Sequence, residues 1–222
     1  MRTLQVAAAQ IAALQGDADL TLGAGGRVWE GVVTTRNVDG TVNVAAMGPI
    51  AGPKFDRLLL RPFATSDTHA NLLRDGCGVF HLVDDVELLV RAALDRWDGE
   101  PELAPVPEFA APRLAACTRW FAFEVKWFAE ASPRSTALGR VVSHGLGKDE
   151  PGGLNRAKSA VVEAAILATR VHLLDAAELR ETLDQLAIIV EKTGAAAELR
   201  ALELVLRYVG QQLGAAEGGR AR

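Results

Sequence analysis

The chain changes character at Gly147, and that change limits its possible folds more than any other feature. From Arg27 to Gly147, short β-rich runs are separated by turn signals; beyond it, alanine and leucine dominate at helical spacing. The run "RVWEGVVTTRNVDGTVNVAAMGPI" (residues 27–50) reads as a hairpin turning at "NVDG". Along its first half Val28, Glu30, Val32 and Thr34 share one face, while Trp29, Gly31, Val33 and Thr35 share the other. "FDRLLLRPF" predicts a third strand closed by Pro62, and "CGVFHLV" a fourth. Between them "SDTHANLLR" predicts a short helix stopped by Gly76.

"DDVELLVRAALDRW" predicts a helix opened by a capping box of Asp84 and Glu87. The four prolines between Pro101 and Pro112 mark a loop with no regular structure. "TRWFAFEVKWFAE" is a long aromatic strand, and "ALGRVVSHG" its partner across "ASPRST". Three helices follow, in "NRAKSAVVEAAILATRVHLL", "DAAELRETLDQLAIIVEKTG" and "AAAELRALELVLRYVGQQLG". The expected fold is therefore α+β and mainly antiparallel β: about six strands with short helices between them, then a C-terminal three-helix unit. The corresponding segments are an N-terminal extension (1–26), a β-rich domain (27–147), a helical subdomain (148–215) and a polar tail (216–222).

Composition narrows the function. A hydrophobic share of 49% suits a packed core, and a formal charge of −4 lacks the basic face that nucleic-acid binding requires. No stretch approaches the roughly twenty apolar residues of a membrane span. Cys77 and Cys117 are far apart, and His69, His81, His144 and His172 are scattered, so neither a disulfide framework nor a metal set is expected. The N-terminal "MRTLQVAAAQIAALQGDADL" is interrupted by Gln5 and Gln10 and has no small-residue cleavage site. It reads as a short helix or an arm rather than a signal peptide, and the expected compartment is the cytoplasm.

The segment "RPFATSDTHANLLRDG" (61–76) holds the first site candidates. Thr65, Ser66, Asp67 and Thr68 are consecutive, with Asn71 just beyond and Arg61 just before, whereas a helix cap needs one such residue. Backbone N–H groups at a helix start, together with hydroxyls, an amide and an arginine, can cradle a phosphate. A capped helix beside a solvated loop is the alternative. Thr34 and Thr35 end one hairpin strand, while Asn43, Ala45 and Ala46 lie on the other. Small residues there let a flat ring approach the sheet backbone, though an exposed alternating strand gives the same pattern.

In succession, "VVTTRNVDGTVNVAAMG", "RPFATSDTHANL", "VDD" and "GLNRAKSAVVEAAILATR" resemble the flavin-reductase-like, FMN-binding split-barrel superfamily. More narrowly they resemble a prokaryotic branch of it with the "NRAK" helix motif, classed as a domain of unknown function. The resemblance runs from about Trp29 to His172. It implies a six-stranded split barrel, FMN as cofactor, and a homodimer with FMN at the subunit interface. By the same resemblance Thr65, Ser66, Thr68 and Asn71 hold the phosphate, the charge of Arg61 being read from the segment itself. Thr34, Thr35, Asn43 and Ala45 lie along the isoalloxazine or ribityl chain. Asn155 and Arg156, in "NRAK", would meet an anion or flavin edge across the dimer; a plain N-cap with a solvated arginine is the other reading. Ala46 stands where the branch commonly has proline, and His81 where it commonly has asparagine.

No side chain is singled out as an acid or base. Ser66 has no His and Asp partners in sequence, Lys126 reads as a snorkelling lysine beside its cofactor alternative, and His144 reads as a loop histidine. With no Gly-rich dinucleotide fingerprint, a nicotinamide or other small substrate would meet the flavin face only transiently. The candidate functions are an FMN-dependent oxidoreductase, a protein that binds FMN or another phosphorylated ligand without turnover, and a barrel kept for assembly.

Overall fold

The computed structural model describes residues 17–149 and 154–220, which fall into two compact units. One takes the described residues up to Val83 and those from Glu100 to 149; the other takes Asp84–Gly99 and those from 154 onward.

The first unit contains β1 (Arg27–Val28), β2 (Val32–Arg36), β3 (Val42–Ala46), β4 (Ile50–Ala51), β5 (Arg57–Leu60), α1 (Asp67–Asp75) and β6 (Cys77–Leu82). It continues with β7 (Leu103–Ala104), β8 (Arg113–Leu114), β9 (Arg119–Ala129) and β10 (Thr136–Leu146). Eight strands form one antiparallel sheet in the order β1-β4-β5-β10-β9-β6-β2-β3, and β7 pairs with β8 in a separate ribbon. The sheet must curl. β3 closes one end of that order and β4 lies next to the other end, yet only Met47, Gly48 and Pro49 separate them. Four peptide steps span at most about 14 Å. The result is a half-barrel whose inner face packs Val33, Leu58, Leu60, Phe80, Phe121 and Phe123, with Leu72 of α1 against them.

The expected six strands are thus corrected to eight in the main sheet. The hairpin run splits between Val28 and Val32, and within that gap Gly31 lies so close to its neighbour that a Cβ there would stand 2.2 Å from the His81 carbonyl oxygen. On either side of that break β1 and β2 join opposite ends of the sheet. The proline-rich stretch also departs from expectation, since Leu103–Ala104 and Arg113–Leu114 pair within and beyond it. Residues 1–16 of the expected N-terminal extension lie outside the described residues. Asp17 caps a short 3-10 turn, Ala18–Leu20, and pairs with Arg57 of β5.

The second unit contains α2 (Val86–Leu94), α3 (Arg156–Ala168), α4 (Ala176–Thr193) and α5 (Ala196–Arg220). Val86, Val90 and Leu94 of α2 share one core with Ala157, Val161 and Ala164 of α3, Leu183 and Val190 of α4, and Val205 and Val209 of α5. The expected three-helix unit therefore has a fourth member, drawn from inside the segment assigned to the β-rich domain. Asp85, not Asp84, caps α2, accepting from the N–H groups of Glu87 and Leu88 at 2.8 and 3.2 Å. Glu87 turns to Arg91 and Arg200 instead of closing a capping box. α5 continues to Arg220, so the residues expected as a polar tail extend the helix up to that point. Among the described residues, no helix is long and apolar enough to cross a membrane.

Candidate cofactor site

Pro62 follows β5 and starts a segment that is held at both ends. The Ala64 N–H donates to the Pro133 carbonyl and the Ser135 N–H to the Pro62 carbonyl, each at 3.0 Å, so Phe63 bridges to Arg134. Ser66 then caps α1: its hydroxyl accepts from the His69 N–H at 3.2 Å and donates to the Phe63 carbonyl at 2.8 Å. Gly76 ends the helix in the left-handed region, at φ 64°. One residue of the hydroxyl-rich run is therefore used as the cap. The N–H groups of Asp67 and Thr68, in the first turn, have no acceptor among the described residues. His69, in that same turn, keeps Nε2 buried with no hydrogen-bond partner there.

The inner side of α1 is bound to the hairpin through amides and hydroxyls. Thr35 lies opposite Asn43 in the β2–β3 register. The Asn43 amide donates to Thr35 Oγ1 at 3.1 Å and to Thr68 Oγ1 at 2.9 Å. The Asn71 amide donates to Thr35 Oγ1 at 3.0 Å and to Asn37 Oδ1 at 2.8 Å. Thr35, Asn43, Thr68 and Asn71, singled out separately in the sequence, are thus one cluster. Both amide hydrogens of Asn71 are committed inside the protein, so this side chain ties the middle of α1 to the hairpin rather than offering a further donor. Asn37 was missed; its signal is its place at the start of the "NVDG" turn, two residues after the paired threonines.

Thr34 points the other way. Its hydroxyl donates to the Pro112 carbonyl at 2.6 Å, and the residue is fully buried. Beside it His81 Nδ1 donates to the Val32 carbonyl while Nε2 accepts from the Leu114 N–H, both at 3.0 Å. Burial pushes the His81 pKa down to about 4, so the ring is neutral. These contacts strap the proline-rich segment across the outer face of the sheet. Ala45 pairs with Val33, placing it on the same face as Asn43, half-buried on edge strand β3.

Arg61 and Thr65 are exposed. A basic residue that sequence reasoning overlooked, Arg134, stands with its guanidinium 3.6 Å from the centre of the Phe63 ring and donates to the Arg61 carbonyl at 2.9 Å. Lys126 forms an ion pair with Glu124 at the surface. His144 is on β10 opposite Phe121, not in a loop. In the helical unit Asn155 caps α3, accepting from the Lys158 N–H at 3.1 Å, and Arg156 is exposed at the first helical position. Lys158 pairs with Asp84. Among the described residues no three His, Cys, Asp or Glu side chains could hold a metal ion, and the free Cys77 and Cys117 have thiol pKa values raised by burial.

Two models of a family described as protein of unknown function (DUF447) match the chain, its N-terminal domain at residues 29–147 and a second at 155–207. No curated protein matches the sequence. Among solved structures, the FMN-bound DUF447 protein of Methanosarcina mazei is similar at 26% identity and a TM-score of 0.71, with 86% of this chain and 97% of that one covered. The flavin reductase of the styrene monooxygenase from Pseudomonas putida S12 aligns at 17% identity and a TM-score of 0.44, covering 54% of this chain and 81% of its own. An FMN-binding protein from Thermus thermophilus aligns at 16% and 0.47, covering 57% and 79%. With its β-rich and helical segments each matched by a family model, this chain belongs to the DUF447 family.

Proposed function

We propose that this chain binds FMN at the start of α1 and acts as a flavin-dependent oxidoreductase of the flavin-reductase-like, split-barrel kind. The observation that carries the reading is the donor set there. A phosphate monoester offers only acceptors and negative charge, and the Asp67 and Thr68 N–H groups, the exposed Thr65 hydroxyl and the Arg61 side chain are all donors. The FMN in the Methanosarcina mazei relative supports the same ligand.

Bound FMN would supply the hydride or electron chemistry. The chain's own residues hold and orient it. Asn43 and Asn71, by fixing Thr35 and Thr68, lock the first turn of α1 against the hairpin, so its N–H groups need no reorganisation on binding. The small side chain of Ala45 leaves room for a planar ring beside the edge of β3. The strap over the outer face at Thr34 and His81 keeps water from that side of the sheet. A homodimer that covers the open edge of β3 belongs to the proposal, with FMN between subunits and Arg156 supplied by the second copy.

The visible spectrum of the purified protein is the first test. Flavin bands, or their recovery with added FMN, are expected; a colourless protein that takes up no FMN overturns the reading. Anaerobic addition of reduced nicotinamide should then bleach those bands. FMN that stays bound and oxidised would leave a binding protein without turnover.

A further inference from the structure

The charge that meets the flavin phosphate comes, we propose, chiefly from Arg134 in the turn between β9 and β10. The inference rests on the FMN reading above and deepens it.

Phe63 is the link. Its ring lies 3.6 Å beneath the Arg134 guanidinium, and its carbonyl accepts the Ser66 hydroxyl at 2.8 Å, the same hydroxyl that caps α1. The cation and the helix start are thus joined through one residue. The two backbone bonds at Ala64–Pro133 and Pro62–Ser135 flank that residue and fix the turn against the loop. Arg134 is further held by its bond to the Arg61 carbonyl. Its orientation is set before any ligand arrives.

Arg61 differs. Its side chain is exposed and makes no hydrogen bond, ion pair or ring contact among the described residues. Binding an anion through Arg61 would first have to order a long side chain, and that lost rotamer freedom subtracts from affinity. A guanidinium already stacked on an aromatic ring carries less of this cost. Asp67 is the acidic residue of the first turn, and Arg61 and Arg134 are the cations of this loop and of the adjoining turn, which also carries Glu130. A phosphate dianion needs a positive charge of this kind, and an uncharged flavin does not.

The test compares FMN with riboflavin, which lacks the phosphate, by fluorescence quenching on the full chain stripped of flavin. Arg134→Gln should weaken FMN by about tenfold or more while riboflavin binds as it does to wild type. Arg61→Gln should weaken FMN by less than about threefold, and Arg134→Lys should recover only part of the loss, since charge returns without the planar fork. Equal loss of both flavins in Arg134→Gln, with a lowered melting temperature, would mean that Arg134 merely shapes the loop, and overturns the proposal. So does wild-type FMN affinity in that variant. A wild type that binds neither flavin instead overturns the underlying FMN reading, and this inference with it.

Discussion

Thr35 accepts hydrogen bonds from two different asparagines, Asn71 of α1 at 3.0 Å and Asn43 of β3 at 3.1 Å. One buried hydroxyl therefore joins the helix to both strands of the hairpin. Thr35→Val keeps the shape but leaves two amide donors short of an acceptor. It should destabilise the fold by roughly 2–4 kcal/mol, read as a lower denaturant midpoint with an unchanged slope. Thr34→Val, which removes only the bond to Pro112, should cost about 1–2 kcal/mol.

Acid should expose the strap at His81. Its pKa in the folded protein, about 4, lies below the ordinary 6.5. As pH falls, the unfolded chain takes up the proton first. The stability contributed by neutral His81 is whole above about pH 6.5 and is lost progressively as pH drops toward 4, by up to about 3 kcal/mol. His81→Asn should be less stable at neutral pH, because one residue spans both the Val32 carbonyl and the Leu114 N–H less well, and its stability should vary less across that window. Parallel curves for wild type and variant would show that other groups set the acid response.

Gly31 should tolerate no side chain. A Cβ there would stand 2.2 Å from the His81 carbonyl and 2.7 Å from the Phe80 ring, and both neighbours belong to a sheet that cannot yield locally. Gly31→Ala should cost more than about 2 kcal/mol, visible as a drop of several degrees in the melting temperature. Gly40→Ala meets nothing within 4 Å and would carry only the strain of φ +86°.

Asp67 opposes the proposed anion. Asp67→Asn removes a negative charge beside the free N–H groups and should tighten FMN several-fold, most clearly at low salt, while weakening the helix by roughly 0.5 kcal/mol. Looser FMN binding in this variant would place the phosphate elsewhere.

Local elements were legible because their signals are local. The "NVDG" turn, Ser66 with Gly76 around α1, and the long strands of "TRWFAFEVKWFAE" and "ALGRVVSHG" depend on chemistry within a few residues. The division of the first hairpin was not legible, because β1 and β2 take different partners, β4 and β6, that only the folded sheet brings to them. Asn71 reads as a donor for a ligand until Thr35 and Asn37 appear within reach of it. Arg134 gave no sign at all: in sequence it is one arginine in a turn, and its bearing on the helix start exists only through Phe63.

The place of α2 has a practical meaning for anyone who would take the protein apart. The chain leaves the sheet unit at Val83 and returns to it at Glu100, and the helix between them fills the core of the other unit. The boundary between the two family models, after residue 147, runs between segments that are consecutive in sequence. A fragment cut there would keep Val86, Val90 and Leu94 with nothing to cover them, and would invite aggregation. The complementary fragment would have a trough where α2 had been. Neither half is a portable module, and a graft of the β-rich half onto another protein would have to bring the helical half along or replace α2 with a polar linker.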